Sequence, residues 1–421
     1  MKIFKFGGAS VKDAQSVRNV AEILSLYSGE KLVVVISAMG KTTNALENIY
    51  EAILEQNQVN FDEKVTQLKT FHFNILQEII FNDKHPILYQ LNGFFNDFSS
   101  VFNEKELKKD LLYAKVVSFG EFLSTKIVHA YLKENNFNAS WENIGEYIKT
   151  TEAKFIEADI DWKQSEAIFQ EKFQPKFENN DIIVTQGFIG QNHNGETTTL
   201  GREGSDFTAG IIAYCCAAES VTIWKDVPGM LNADPKWFDN TIKLDKISFR
   251  EAIELSYYGA SVIHPKTIKP LQNKGIPLYV KSFLVPKESG TKIHTCTDYD
   301  HLVPSFIFKK NQILFSITPK DFSFIEEKNL SHIFQLISSM GLKINVMQNS
   351  ALSFSVLLDE HKLSIDLFLE ILSKEYDVKY NSGLELITIR HYDEETVKRL
   401  TKNKEILLQQ LTRETARLIV K

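Results

Sequence analysis

Apolar runs and helical spacings alternate through the first two thirds of the chain. Met1 to Phe6 alternates apolar and basic side chains as a strand does, Gly7 and Gly8 clear the turn, and Val17, Val20, Ala21 and Leu24 then recur at helical spacing. Lys31 to Ser37 is a nearly continuous β-branched run, the pattern of a strand buried on both faces of a parallel sheet. Asp181 to Phe188 gives the same signal, and Val221 to Val227 is read as a further strand. Between the second strand and these, residues from Ala45 to about Leu112 keep helical periodicity with one proline, Pro86, and one glycine, Gly93, which predicts a helical insertion over about 45–115. Ser118 to Ser124 is read as the opening of a further helix, with Glu121 in its first turn, where the helix dipole favours a carboxylate. Trp141 to Phe173 is mixed. Thr197 to Asp206 leads into a helix through Ala209, Ile212, Ala213 and Cys216, with Ser205 as a capping residue.

Beyond Gly290 and Thr291 the pattern changes. Short strands at Ser305 to Phe308, Ile313 to Thr318, Ile344 to Met347 and Ala351 to Leu357 alternate with helices near Ser331 to Met340 and Ile365 to Lys374. That βαββαβ order implies a ferredoxin-like module. A strand at Leu384 to Ile389, a helix over Glu394 to Leu408 and a last strand at Ala416 to Val420 look like part of a second one.

At 421 residues with 43% hydrophobic content, the chain exceeds one domain and can bury a substantial core. A net charge of −6 argues against general nucleic-acid binding, so any anionic substrate must be held by a few local cations. Cys215, Cys216 and Cys296 offer neither a disulfide framework nor metal-ligand spacing, and no residue is assigned to a metal. The expectation is a reducing, cytoplasmic setting, with no membrane span or leader and with Met1 as the mature start.

The candidate chemistry clusters at strand ends. Lys5, Gly7 and Gly8 form a turn where main-chain amides and a cation can meet phosphate, although a tight βα turn with a solvated lysine reads alike. Ser37-Ala38-Met39-Gly40-Lys41-Thr42-Thr43-Asn44 is a small, hydroxyl-rich loop where open α/β sheets bind ligands. Arg202, between Gly201 and Asp206, offers a bidentate clamp for a carboxylate; its alternative is a structural pair with a nearby carboxylate such as Glu203. Lys225, Asp226, Asp234 and Lys236 put both signs of charge on one loop, as ATP with magnesium requires and as a solvated turn also shows. His264, before Pro265, is read as a packed or capping histidine.

Taken in order, Lys5-Phe6-Gly7-Gly8-Ala9-Ser10, Ser37 to Asn44, Ser118-Phe119-Gly120-Glu121, Thr185-Gln186-Gly187-Phe188, Thr197 to Asp206, Asp226-Val227-Pro228-Gly229 and Tyr258 to Pro265 resemble the motifs of aspartate kinases over nearly the whole chain. The resemblance implies a three-layer αβα amino-acid-kinase fold with a mainly parallel sheet over 1–292. It implies a ferredoxin-like ACT regulatory region over 304–421, with one full module at about 310–378 and a shortened second one. The implied reaction is MgATP-dependent phosphorylation of the β-carboxylate of L-aspartate, the first step toward lysine, threonine and methionine. By resemblance Lys5 stabilises the transferring phosphoryl, Asp206 orients Lys5, and Gly7, Gly8 and Ser10 line the phosphate loop. Ser37, Thr43, Glu121, Arg202 and Ser205 resemble the aspartate set, with Glu121 on the ammonium and Arg202 on a carboxylate. Lys225, Asp226, Leu231, Lys236 and Ser261 are expected on the nucleotide.

Departures from the pattern are Ala9 for threonine, Glu203 for glycine, Lys236 for arginine, and Ser261 where many members carry a lysine. The family further implies lysine or threonine as effector and a homodimer or larger assembly through the ACT region. A monofunctional enzyme is expected, since nothing after the ACT-like region resembles a homoserine dehydrogenase. The rivals are another carboxylate kinase of this fold, such as an acetylglutamate or glutamate kinase, and a catalytically weak amino-acid-sensing protein.

Overall fold

Strand and helix alternate as the apolar periods require. The computed structural model describes every residue except Lys105, Ser261, Val262, Phe322 and His361, with the backbone alone for 362–364. The chain divides into two units, one comprising Met1–Met230, Lys243–Ile253 and Ser261–Tyr299, the other Leu231–Ile242, Glu254–Ala260 and Asp300–Lys421.

In chain order the first part runs β1 (Lys2–Phe6), α1 (Ala14–Ser25), β2 (Leu32–Ile36), α2 (Thr42–Leu54), α3 (Gln58–Ile79), α4 (Pro86–Ser99), α5 (Lys109–Glu134) and β3 (Ala139–Glu142). It continues with α6 (Trp162–Ile168), β4 (Ile182–Gln186), β5 (Ile189–Gln191), β6 (Thr197–Thr199), α7 (Gly204–Cys216), β7 (Ser220–Lys225), β8 (Lys246–Ser248), α8 (Phe249–Tyr258), α9 (Pro265–Lys274), β9 (Leu278–Ser282) and β10 (Thr291–His294). Eight strands form one sheet in the order β3-β4-β2-β1-β7-β9-β10-β8. Every pairing in it is parallel except β9 with β10. The central strands β2 and β4 are buried along their whole length, as their β-branched runs dictate. β5 and β6 form a separate hairpin.

Glu121 lies in the middle of the 26-residue α5, not in a first helical turn. No breaker separates Leu111 from Ser118, so the last helix of the insertion continues straight into the motif. Gly120 serves packing here. A Cβ on it would sit 2.8 Å from Thr42 Cγ2 and 2.9 Å from the Ala38 Cβ, so the absent side chain lets α5 lie directly against the loop between β2 and α2. Behind that loop, His72 of α3 is buried, its Nδ1 2.8 Å from the Leu68 carbonyl and its Nε2 3.4 Å from the Thr42 hydroxyl. Burial pushes its pKa down to about 4, so the ring is neutral, donates to the carbonyl and offers Nε2 to Thr42.

The second unit carries β11 (Ser305–Pro319), α10 (Glu327–Ser339), β12 (Ile344–Asn349), β13 (Phe354–Asp359), α11 (Lys362–Leu372), β14 (Tyr376–Arg390), α12 (Glu394–Leu400), β15 (Ile406–Leu411) and β16 (Thr415–Val420). They make one antiparallel sheet in the order β12-β13-β11-β14-β16-β15. Two strands expected on either side of Lys309 are one 15-residue strand, β11, broken by a register shift between Lys309 and Gln312. The helix expected over Glu394 to Leu408 ends at Leu400, and Ile406–Leu411 is a strand. Asn403 adopts positive φ and turns the chain there, a local signal that periodicity does not carry.

The second half of β11 with α10, β12, β13, α11 and the first half of β14 has the βαββαβ order and its own apolar core, including Phe315, Val356 and Phe368. The remaining half has α12 and, from earlier in the chain, the end of α8, whose Tyr258 ring lies 5.1 Å from the Arg417 guanidinium of β16. Its core of Phe306, Ile387, Ile389, Ala416, Leu418 and Val420 is joined by Ala233, with Phe238 stacked on Phe306 at 5.3 Å between ring centres. The Asn232 carbonyl accepts from the Phe306 amide at 2.7 Å. A loop from earlier in the chain thus adds to the core of this half.

Candidate active site

Loops leaving the carboxyl ends of β1, β2 and β7, the chain after β4, and the first turn of α7 surround a cavity of about 480 Å³. Open α/β sheets bind ligands at this edge. Lys5, Ser37, Thr43, Glu121, Arg202, Ser205, Asp206 and Lys225 all line it, together with Glu47, Tyr113, Ile156, Glu157, Phe188, Thr199 and Glu203.

Lys5 Nζ lies 2.6 Å from Asp206 Oδ1, and Lys225 Nζ lies 3.6 Å from Asp206 Oδ2. Burial pushes the Asp206 carboxyl up, but the two ammonium groups outweigh it and hold the acid below its ordinary value. The result is an ionised carboxylate that fixes two cations at one end of the cavity.

Glu121 faces the same space from α5. Its Oε1 accepts from the Ala38 amide at 3.3 Å, while Oε2 is buried without a hydrogen-bond partner. Burial raises its pKa to about 8, against the opposing pull of the Ala38 amide and Lys5. A buried carboxyl with one oxygen unpartnered is a site for an arriving cation.

The Arg202 segment is held by close packing. A Cβ on Gly187 would lie 2.3 Å from the Ser205 Cβ, so only glycine lets the start of α7 press on the chain after β4. Gly201, at φ +76°, faces the Glu157 side chain with equally little room. Arg202 itself is exposed. Ser205 does not cap α7: Glu203, at φ 52°, takes that position with no side-chain cap, and Ser205 sits inside the first turn. Two positions with positive φ, Gly201 and Glu203 on either side of Arg202, start the helix two residues earlier than a Ser205 cap would.

Gly7, Gly8, Ser10 and Asp226 lie outside the cavity lining. Gly7 adjoins the Lys5 ammonium, since a Cβ there would be 3.4 Å from Nζ. Gly8 abuts the loop after β2, where a Cβ would meet the Ala38 carbonyl at 2.7 Å, and its own carbonyl accepts from the Gly40 amide at 3.0 Å. Ser10 is buried, with its hydroxyl 3.5 Å from the Trp224 carbonyl. Asp226 is an exposed residue just past β7. Leu231 and Lys236 belong to the segment Leu231–Ile242 of the second unit. Ser261 lies outside the described residues. His264 accepts from the Lys266 amide through Nδ1 at 3.1 Å and caps α9.

Glu47 and Tyr113, hydrogen-bonded to each other at 3.0 Å, carried no motif. Glu47 follows Thr43 by one helical turn, and that i,i+4 spacing is the signal that places it on the same face. Glu157 has no such signal, because its stretch shows no periodicity.

Magnesium bound mainly by phosphate and water needs few protein ligands. Among the described residues no group of three or more His, Cys, Asp and Glu is arranged to hold a metal, and Asp206 is already committed to two lysines. These donors fit an ion that arrives with the nucleotide. Among the described residues, too, no helix is long and apolar enough to cross a membrane.

The sequence profile of the Amino acid kinase family matches residues 1–282. Aspartokinase 1 of the chloroplast of Arabidopsis thaliana is 31% identical over 368 residues, covering 86% of this chain and 64% of its own length. Lysine-sensitive aspartokinase 3 of Escherichia coli K12 is 29% identical, covering 85% of this chain and 78% of its own. The chain therefore spans just under two thirds of the first relative. Solved structures of E. coli aspartokinase III match over 100% of this chain and 96% of theirs at 25% identity, with TM-scores of 0.81 for the complex with aspartate and ADP and 0.85 for the complex with lysine and aspartate. With its parallel strand core, its C-terminal antiparallel sheet and relatives that are aspartokinases, the chain belongs to the amino acid kinase family.

Proposed function

We propose that this chain is an aspartate kinase that transfers the γ-phosphoryl group of ATP to the β-carboxylate of L-aspartate, giving 4-phospho-L-aspartate and ADP. The observation that carries the reading is one cavity holding a cationic end, Lys5 and Lys225 on Asp206, together with an arginine, Arg202, and a buried carboxyl, Glu121. An amino acid with two carboxylates and one ammonium group has a partner for each charge in that set.

A substrate carboxylate is ionised at neutral pH, so it attacks phosphorus without a general base. A new oxygen–phosphorus bond forms and the bond to the ADP oxygen breaks. The work left to the protein is to align two anions and neutralise the charge between them. Lys5 is fixed for that by Asp206; Arg202 holds a substrate carboxylate through its planar fork. Glu121 accepts the ammonium and, on binding it, gives up the proton that burial otherwise favours. Magnesium, when bound with ATP, supplies further charge neutralisation at the phosphates. The Leu231 and Lys236 segment, with Lys225 and Asp226, is assigned to the nucleotide, and Gly7, Gly8 and Ser10 to the turn that shapes the phosphate end.

The C-terminal unit, with one full βαββαβ module, is assigned to effector binding, and the E. coli relative crystallised with lysine makes lysine the first effector to test. Assembly through this region as a homodimer or larger oligomer, and a cytoplasmic location in keeping with its free thiols, complete the proposal.

In an ATP- and L-aspartate-dependent hydroxamate assay, the purified chain is expected to turn over. Lys5→Met is expected to lose about a hundred- to thousandfold in kcat, the usual effect of removing one well-placed electrostatic group. Hydroxamate formed with glutamate or acetylglutamate in place of aspartate, or a Lys5→Met variant with normal turnover, contradicts the assignment. Titrated with L-lysine, the same assay should show inhibition. A flat response to lysine and to threonine removes the regulatory part.

Glu121 gives a pH-dependent prediction. The folded chain keeps its proton up to about pH 8, while the unfolded chain releases it near about pH 4.3. Stability must therefore fall as pH rises through that window. Glu121→Gln should melt above the parent at pH 8, with the difference closing toward about pH 5. It should also raise KM for aspartate by roughly ten- to a hundredfold, through loss of a charge-assisted contact of ~1.5–3 kcal/mol. A melting difference independent of pH, or an unchanged KM, contradicts this role.

A further inference from the structure

A second cavity in the first unit, of about 430 Å³, is lined by Trp162, Phe207, Tyr214, Asp159, Lys266 and Lys269, with smaller contributions from α9 and the chain before α6. It shares its wall with the active site. Ile156 and Glu157 line the active-site cavity whereas Ala158, Asp159 and Ile160 line this one; Ser205 and Asp206 face the former and Phe207 the latter.

Its chemistry divides into a ring-lined side and a charged side. The Trp162 ring meets that of Tyr214 edge-on at 5.0 Å and that of Phe207 at 6.2 Å, each at 68°. Lys266 and Lys269 sit three residues apart on α9, which places both ammonium groups on one helix face. Lys266 Nζ stands 5.9 Å from the Phe207 ring centre, and among the described residues neither lysine has a carboxylate partner. The neighbouring Lys274 is occupied, 2.6 Å from Glu166 and 4.0 Å from the Tyr214 ring centre. Asp159 carries the one carboxylate of the lining, 4.0 Å from Lys154. None of these side chains belongs to the machinery described above.

We infer that this cavity is a binding site for an aromatic α-amino acid. The ring packs against Trp162, Phe207 and Tyr214, where aromatic pairs gain beyond area burial. The carboxylate lies on Lys266 and Lys269, and the ammonium group on Asp159. The volume is that of small-ligand sites, apolar with a few convergent polar groups. The proposal does not rest on the identity of the reaction, because its readout is binding.

The test is calorimetric titration of the full chain with L-phenylalanine. Saturable binding is expected with Kd of roughly 0.1–1 mM. Trp162→Leu and the surface double variant Lys266→Ser/Lys269→Ser should each weaken it at least about tenfold. Arg202→Ala, which alters only the active site, should leave it unchanged. 3-Phenylpropionate, which lacks the ammonium group, should bind about two- to fivefold more weakly. No saturable binding by about 10 mM overturns the proposal. So does binding that survives in the lysine double variant, or that disappears with Arg202. Equal affinity for 3-phenylpropionate overturns the assignment to an amino acid.

Discussion

A lysine ammonium and an aspartate carboxylate, 2.6 Å apart and nearly sealed from solvent, fix the geometry on which the site depends. Taking both charges out of water is costly, and only close pairing offsets the cost. The sequence makes the pairing possible through two periods. Along β1 the alternation sends Phe4 and Phe6 into one core, against Trp224, and Lys5 to the opposite face. In α7 the first turn places Asp206 where that face ends. Hydrogen-bonding β1 between β2 and β7 leaves its end no freedom to drift. Lys225, two strand positions from the core residue Ile223, then adds a second cation to the same carboxylate.

Much of this was legible before any coordinates. Buried parallel strands announce themselves as β-branched runs, and glycine turns at their ends mark where ligands approach. Lys5, Arg202, Asp206, Glu121, Ser37, Thr43, Ser205 and Lys225 are indeed brought to one cavity. What the chain concealed has specific causes. The short motif around Glu121 suggests a first helical turn, whereas α5 continues through it, buried on nearly all sides. Ser205 looked like a cap because serine caps helices; the strained backbone at Glu203 takes that position instead. Glu157 reaches the cavity through tertiary packing that no sequence period encodes, whereas Tyr113 lies two helical turns before Glu121 on α5.

The C-terminal unit shows the same limit at larger scale. Its two long strands each serve both halves of the sheet, so strand count along the sequence does not equal strand count in space. The half with α12 draws Ala233 and Phe238 into its core from a segment that sequence order assigns to the preceding domain. Leu231 and Lys236 travel with that segment, so residues assigned to the nucleotide share a folding unit with the ACT-like sheet.

In the proposed transfer Lys5 and Asp206 act as one electrostatic device. A double-mutant cycle on kcat, with Lys5→Met, Asp206→Asn and the pair combined, measures whether they do. The double variant is then expected to be little slower than the worse single variant, because either change dismantles the same device. Losses that simply multiply would show the two residues acting independently, and would contradict it.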